Sequence, residues 1–345
     1  MKLLIDIGNT RVKYSFIEAG RLTESHAFNR SKTGIKASLN SHFKTIDNIE
    51  AIFVSNVAGE KIAQQLTEWA EKKYQVTPTF VRSEKKRFGV TNSYTDVDAL
   101  GIDRWLALIA ARQHARMATC IIDCGTAITV DIVTKYGLHQ GGMILPGLGL
   151  MRQSLLDNTS DLNETLEESE FKTLAVNTQS AIQAGTLYTV TATLEQLITD
   201  LKEQFNQRIR FIITGGDAEI LIPLLPSSVA HYPDIVLKGL AYYARQGDKK
   251  RRHDNNAEAT ATEGASNETD SNVDVNTEAQ AVEAVEAVEA VEAVEAVEAV
   301  EAVEAVEAVE AVEAVEAVEA VDKDDTSNEI DGNVETNTEA QAVEV

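Results

Sequence analysis

One short pattern occurs twice in this chain, as Ile5-Asp6-Ile7-Gly8-Asn9-Thr10 and as Ile122-Asp123-Cys124-Gly125-Thr126-Ala127, with the two Asp residues 117 positions apart. In each copy a β-branched apolar run ends on an Asp. A Gly follows that tolerates positive φ, and small hydroxyl or amide residues lead into a second apolar run, Val12 to Phe16 or Ile128 to Val133. Each copy therefore reads as strand, turn, strand. Such a turn offers backbone N–H groups to phosphate oxygens, and an Asp at the strand end is placed to hold Mg²⁺ directly or through water. Two of them facing each other would grip one polyphosphate from both sides. A single copy is more often a plain hairpin whose Asp and Gly serve turn chemistry. Two copies at half-domain spacing favour a phosphoryl-transfer site.

Composition limits how much of the chain this argument covers. From about Asp248 onward there is no aromatic residue, Leu and Ile almost vanish, and a Glu-Ala-Val repeat runs from Glu283 to Val321. After Arg252 there are 28 acidic residues and one base, Lys323, so this segment carries −27, the rest +3 and the whole −24. The acidic balance belongs to the tail and says little about the part expected to fold. A three-residue period drifts by about 60° per repeat around a helix, so the Val stripe makes no lasting apolar face, and Glu residues at i and i+3 repel. Residues 247–345 are expected to be a disordered acidic tail, with Asn276 to Glu283 recurring as Asn337 to Glu344 after expansion of the repeat. The remaining 246 or so residues suffice for one substantial core or two small lobes. The duplication favours lobes over 1–117 and 118–246.

The other exclusions are brief. Cys120 and Cys124 are the only cysteines and sit in or beside a predicted buried strand, as reduced core residues would. The six histidines show no ligand spacing that suggests zinc. No charged, then apolar leader opens the chain and no apolar run reaches membrane-spanning length, so a cytoplasmic enzyme without membrane or nucleic-acid partners is expected. Neither G-x-x-x-x-G-K-[ST] nor a G-x-G-x-x-G after a strand occurs, which excludes the P-loop and dinucleotide motifs.

Periodicity predicts strands over Lys2–Asp6, Val12–Glu18, Leu22–Asn29, Ile49–Ser55 and Thr77–Arg82, with helices over Ile35–Phe43, Gly59–Lys73 and Trp105–Met117. The second half repeats the theme. Its strands fall over Ala118–Asp123, Ile128–Thr134, Gly141–Leu145 and Arg210–Thr214, its helices over Pro146–Asp157, Thr178–Asn206 and Val236–Gln246. Hairpins followed by strand and helix alternation give an α/β class with mixed sheets.

Three further segments carry chemistry. Lys13 falls on the second strand of the first hairpin, as a phosphate-binding point charge or as a solvated edge lysine. Gly101-Ile102-Asp103-Arg104 opens a helix, where Asp103 is either a simple N-cap or a general base beside a cation that orients an anionic group. An Asp suffices as base where the transition state is loose and the proton leaves late. Thr214-Gly215-Gly216-Asp217 follows a buried strand, and its glycines would let a flat ring such as adenine lie on the backbone, with Asp217 an alternative N-cap. Gly141-Gly142 and Pro146-Gly147-Leu148-Gly149 fit close packing as readily as ligand approach.

In order and spacing, Asp6-x-Gly8-Asn9-Thr10, Gly101-x-Asp103-Arg104, Asp123-x-Gly125-Thr126-Ala127, Gly142-x-Ile144-x-Pro146-Gly147, Asn177-Thr178 and Thr214-Gly215-Gly216-Asp217 resemble the type III pantothenate kinases, relatives of the Bvg accessory factor. The resemblance spans about residues 1 to 246. It implies a duplicated, actin-like (ribonuclease H-like) nucleotide-binding fold, a homodimer, and phosphorylation of pantothenate by ATP to 4′-phosphopantothenate on the way to coenzyme A. By the same resemblance ATP, with Mg²⁺, meets Asp6, Ile7, Gly8, Asn9, Thr10, Arg11, Val12, Lys13 and Thr126. Asp103 is the proton acceptor, Tyr94, Gly101, Ile102, Asp103, Arg104 and Thr178 meet pantothenate, and Asp123 holds a monovalent cation, K⁺ or NH₄⁺. The rival readings are a nucleotide-binding regulator on the same scaffold, which would need no base at Asp103, and a sugar or acetate kinase, for which the core is short.

Overall fold

The computed structural model describes residues 1–31, 34–158 and 174–246. All of them fall in one unit, Met1–Asn267. The expectation of a disordered tail over 247–345 lies outside the described residues.

The first sheet begins with β1 (Lys2–Ile7) and β2 (Arg11–Glu18), paired antiparallel so that Ile7 faces Val12 and Asp6 faces Lys13. β1 is apolar on both faces because it lies at the sheet's centre, where neither side meets water. On its other edge runs β5 (Ala51–Asn56), parallel to β1, followed by a parallel β6 (Thr79–Phe80). The predicted third strand, Leu22–Asn29, is two short strands, β3 (Arg21–Leu22) and β4 (His26–Asn29), both on β2. Thr23 interrupts it: its hydroxyl accepts from the Phe16 N–H and meets Ser15 Oγ, which breaks the ladder locally. Helices α1 (Lys36–His42) and α2 (Glu60–Tyr74) cover one face. In α2 the buried Ile62, Ala63, Leu66, Trp69 and Ala70 form one helical stripe, which packs with Leu39 and Phe43.

The second sheet repeats the first except for β4, which has no counterpart among the described residues. β9 (Ala118–Cys124) pairs antiparallel with β10 (Ala127–Val133), β10 antiparallel with β11 (His139–Pro146), and β9 parallel with β12 (Ile209–Thr214). A parallel β13 (Val229–His231), too short to show as a pattern in sequence, closes the far edge. The spatial orders are β3-β2-β1-β5-β6 and β11-β10-β9-β12-β13, with the same sequence of antiparallel and parallel pairings. This is the duplicated ribonuclease H-like arrangement of the actin-type nucleotide-binding fold. A small hairpin, β7 (Lys86–Arg87) with β8 (Val90–Thr91), precedes α3 (Ile102–His114).

Helix α3 positions the site. It is buried almost all round, from Arg104 through Ala111, because it packs against β5 of one sheet and β9 and β10 of the other. It starts three residues earlier than periodicity suggests, so Asp103 and Arg104 lie in its first turn. The remaining helices are α4 (Leu148–Asp157), α5 (Thr178–Gln204), the short α6 (Ala218–Leu221) and α7 over 235–246. Ile235, Leu237, Leu240, Ala241 and Ala244 of α7 share a core with Trp105, Leu106 and Ile109 of α3.

Candidate active site

Because β1 and β9 are equivalent central strands, the two Asp–Gly turns fall at equivalent sheet edges. The first turn closes with the Gly8 N–H donating to Arg11 O at 3.0 Å, the second with the Gly125 N–H donating to Ala127 O at 3.0 Å. Neither glycine adopts positive φ, which corrects the expectation from sequence. At Gly8 the constraint is space, since a Cβ there would stand 3.1 Å from Arg11 O. The two turns meet: Thr10 Oγ1 and Thr126 Oγ1 share a hydrogen bond of 2.9 Å. Arg30 braces the first turn from Nε to Asn9 O at 3.0 Å.

Three carboxylates from three elements converge below these turns. Asp6 is the last residue but one of β1 and accepts from Ser55 Oγ at 2.8 Å; burial first, and then the charge of Asp103, push its pKa from 3.8 up to about 7. Asp123 holds the matching place on β9. Burial and, again, Asp103 push it up to about 6. Asp103, in the first turn of α3, is also raised by burial, while its bond from the Arg104 N–H at 2.8 Å and the Arg104 charge pull the other way. Lys13, opposite Asp6 in the register, stabilises the charged forms of both Asp6 and Asp123. Its ammonium donates to Pro233 O at 2.9 Å, and β2 lies inside the sheet between β1 and β3, so Lys13 is not an edge lysine. Gly101, not Asp103, is the N-cap of α3, and Asp103 from within the first turn satisfies the Arg104 N–H with one oxygen, Oδ1.

Arg104 sits beside this cluster, 7% exposed. It forks onto Asp131 of β10, from Nε to Oδ2 and from Nη2 to Oδ1, both at 2.7 Å, and donates from Nη1 to the Tyr94 hydroxyl at 2.9 Å. Ile102 is buried. Thr178, exposed at the first position of α5 behind the Asn177 cap, has no hydrogen bond to this network among the described residues. Sequence reasoning did not find Ser55, Asp131 or His139. The available signal was Asp131 itself, a carboxylate inside the apolar run Ile128 to Val133.

The Thr214-Gly215-Gly216-Asp217 turn abuts the second hairpin. Gly215 has φ of +100° and a Cβ on it would overlap the backbone of Cys124, while the Asp217 N–H donates to Cys124 O at 2.9 Å. Close packing thus requires that glycine whether or not a ring lies on it. Asp217 makes no side-chain cap bond; the charges of Arg152 and Arg11 stabilise its charged form against burial. A cavity of about 550 Å³ opens beside the first turn of α2, between Asn56, Gly59, Gln64 and Arg82, and none of the three carboxylates lines it. No group of three or more His, Cys, Asp or Glu is set to hold a metal ion among the described residues. A cation here would need ligand oxygens from a bound nucleotide, the usual situation for Mg²⁺, and the half-buried Asp6 and Asp123 supply the hard oxygen donors that suit it.

The chain matches the type III pantothenate kinase family model over residues 2–200. It is 42% identical over 257 residues to the type III pantothenate kinase of Nitrosococcus oceani, covering 73% of this chain and 97% of that one. It is 32% identical over 242 residues to the type III pantothenate kinase of Hydrogenovibrio crunogenus, covering 70% and 97%. Among solved structures, a putative Baf family transcriptional activator from Campylobacter jejuni aligns with a TM-score of 0.45 and 21% identity over 72% of this chain and 99% of that one. Matches that run nearly the full length of the kinases, on a chain that carries their motifs in order, place it among them: this chain belongs to the type III pantothenate kinase family.

Proposed function

We propose a division of labour for the reaction that family membership gives this chain, transfer of the γ-phosphoryl group of ATP to the alcohol of pantothenate, giving 4′-phosphopantothenate for coenzyme A synthesis. The reading rests chiefly on one observation, the convergence of Asp6, Asp103 and Asp123 where the two turns meet. Asp6, Ile7, Gly8, Asn9, Thr10, Arg11, Val12 and Lys13 hold the nucleotide from one side and Thr126 holds it from the other. Backbone N–H groups of the turns meet phosphate oxygens, and Lys13 adds a point charge. Asp6 would hold the divalent ion that accompanies ATP and Asp123 a monovalent cation, K⁺ or NH₄⁺, and the two ions would supply charge neutralisation at the transferring phosphate.

Asp103 accepts the hydroxyl proton of pantothenate as the new O–P bond forms and the bond to the ADP oxygen breaks. Burial supports this role, because a carboxylate raised above its ordinary range is a better base near neutral pH. Tyr94, Gly101, Ile102 and Arg104 hold pantothenate beside it. Thr178 belongs to the pantothenate pocket of the other subunit of a homodimer, consistent with its exposed place at the start of α5. The two lobes are 1–117 and 118–246, and the enzyme works in the cytoplasm; no helix among the described residues is long and apolar enough to cross a membrane.

A coupled assay of ADP release, with and without pantothenate and with and without K⁺, tests the proposal. Release that depends on pantothenate and rises with K⁺ supports it. Nucleotide binding without pantothenate-dependent release would favour the regulator.

A further inference from the structure

Three residues of β10 and β11 stand directly behind Arg104 and Tyr94. Asp131 takes both strong donors of one guanidinium edge and is 2% exposed. His139, also 2% exposed, sets its Nε2 at 2.9 Å from Asp131 Oδ1. A carboxylate only accepts, so Nε2 carries the proton, and Nδ1 faces Ser93 Oγ at 3.2 Å. The fixed His139 ring lies nearly parallel to the Tyr94 ring, with centroids 5.8 Å apart and planes 17° apart. Tyr94 in turn accepts from Arg104. The circuit Arg104, Asp131, His139, Tyr94 is thereby closed, and burial keeps water from competing for the bonds that Asp131 makes with Arg104 and His139.

Gly142 completes the arrangement. A Cβ at this position would overlap Val130 O and stand 2.7 Å from Asp131 Oδ1 and 2.8 Å from Arg104 Nη2, so any side chain would push β11 from β10 and displace the ion pair with it.

A guanidinium has five N–H donors. Three of those on Arg104 are committed to Asp131 and Tyr94, which leaves two. A free arginine loses much rotamer freedom when a ligand immobilises it, whereas this one is immobilised in advance. We infer that Asp131, His139 and Gly142 are positioning residues for pantothenate, which hold Arg104 and Tyr94 in the one orientation that presents those two donors and the Tyr94 ring to the substrate. The inference rests on the reading that Arg104 and Tyr94 contact pantothenate. Ser93, His139 and Asp131 also have the composition of a hydrolytic triad. Arg104 occupies both oxygens of Asp131, however, and so neutralises the charge that would stabilise a protonated His139.

The test is steady-state ADP release by the full chain, with pantothenate and ATP varied separately. Arg104→Met tests the underlying reading, and should lower kcat/KM for pantothenate about a hundredfold. His139→Phe keeps a ring against Tyr94 and removes the bond to Asp131; it should lower kcat/KM for pantothenate about tenfold and leave KM for ATP within about twofold. His139→Gln restores a donor towards Asp131 and should recover most of that loss. In the Arg104→Met background, His139→Phe should cost much less than it does alone. An unchanged kcat/KM in Arg104→Met overturns the reading of Arg104. A loss in Arg104→Met combined with wild-type behaviour in His139→Phe, an equal rise in both KM values, or full additivity overturns the positioning role. Asp131→Asn leaves a buried guanidinium half-paired; if that variant does not fold, the two His139 variants decide the matter.

Discussion

Removing the charge of Asp6 should abolish activity and yet stabilise the ligand-free protein above neutral pH. The folded state raises this carboxyl from 3.8 to about 7, mainly by burial and then by the charge of Asp103. The unfolded chain releases the proton near the ordinary value, so between roughly pH 4 and 7 the folded state holds the extra proton and stability falls as pH rises. At about 1.4 kcal/mol per tenfold change in the ionisation constant, the cost above pH 7 is about 4 kcal/mol for an isolated group. Asp103 and Asp123 relax partly when a neighbour loses its charge, so about 2–4 kcal/mol is the expected gain for Asp6→Asn. The amide oxygen keeps the bond from Ser55. Urea unfolding without nucleotide, Mg²⁺ or K⁺ should find the variant more stable than wild type at pH 8, with the gap closing towards pH 4. A variant equal to or weaker than wild type at pH 8 would refute the claim that this cluster stores electrostatic strain for a cation to relieve.

Three further outcomes follow from the same geometry. Asp123→Ala should erase the response to K⁺; in the wild type the concentration of K⁺ needed for activation should rise as pH falls through about 6, where Asp123 gains its proton. Unaltered K⁺ activation in the variant would remove Asp123 from that role. Gly215→Ala should lower stability by about 1–3 kcal/mol, through positive φ and overlap with Cys124; an unshifted melting midpoint would contradict this. Asp103→Asn chains and chains with a bulky residue at Thr178 should each be inactive alone, and co-refolded mixtures should regain about a quarter of the sites if half the dimers are mixed. Proven mixed dimers without recovery would put Thr178 in its own subunit's pocket.

The duplication was legible because central strands buried on both faces leave long apolar runs, and because each ends on the same Asp–Gly turn. β1, β2, β9 and β10 accordingly fall within a residue or two of their predicted bounds. Edge strands left weaker marks. β13 has three residues, and the break between β3 and β4 depends on a Thr23 hydroxyl that no periodicity reveals. The glycines misled in one respect: Gly8 and Gly125 suggested positive φ, whereas the left-handed glycine near the second turn is Gly215. The motifs singled out Asp6, Asp103 and Asp123 one by one, and the fold brings them close enough for the charge of Asp103 to act on both of the others. Asp131 and His139 escaped notice because each is a single polar residue in a strand, and only the fold brings them behind Arg104.

The most direct test of the account is the chemical step of Asp103→Asn, measured by single-turnover quenching with saturating pantothenate and with ATP affinity measured in parallel. General-base catalysis by Asp103 predicts a rate lower by about 10²–10⁴, with ATP bound as tightly as in the wild type. Turnover close to wild type at normal ATP affinity would contradict it.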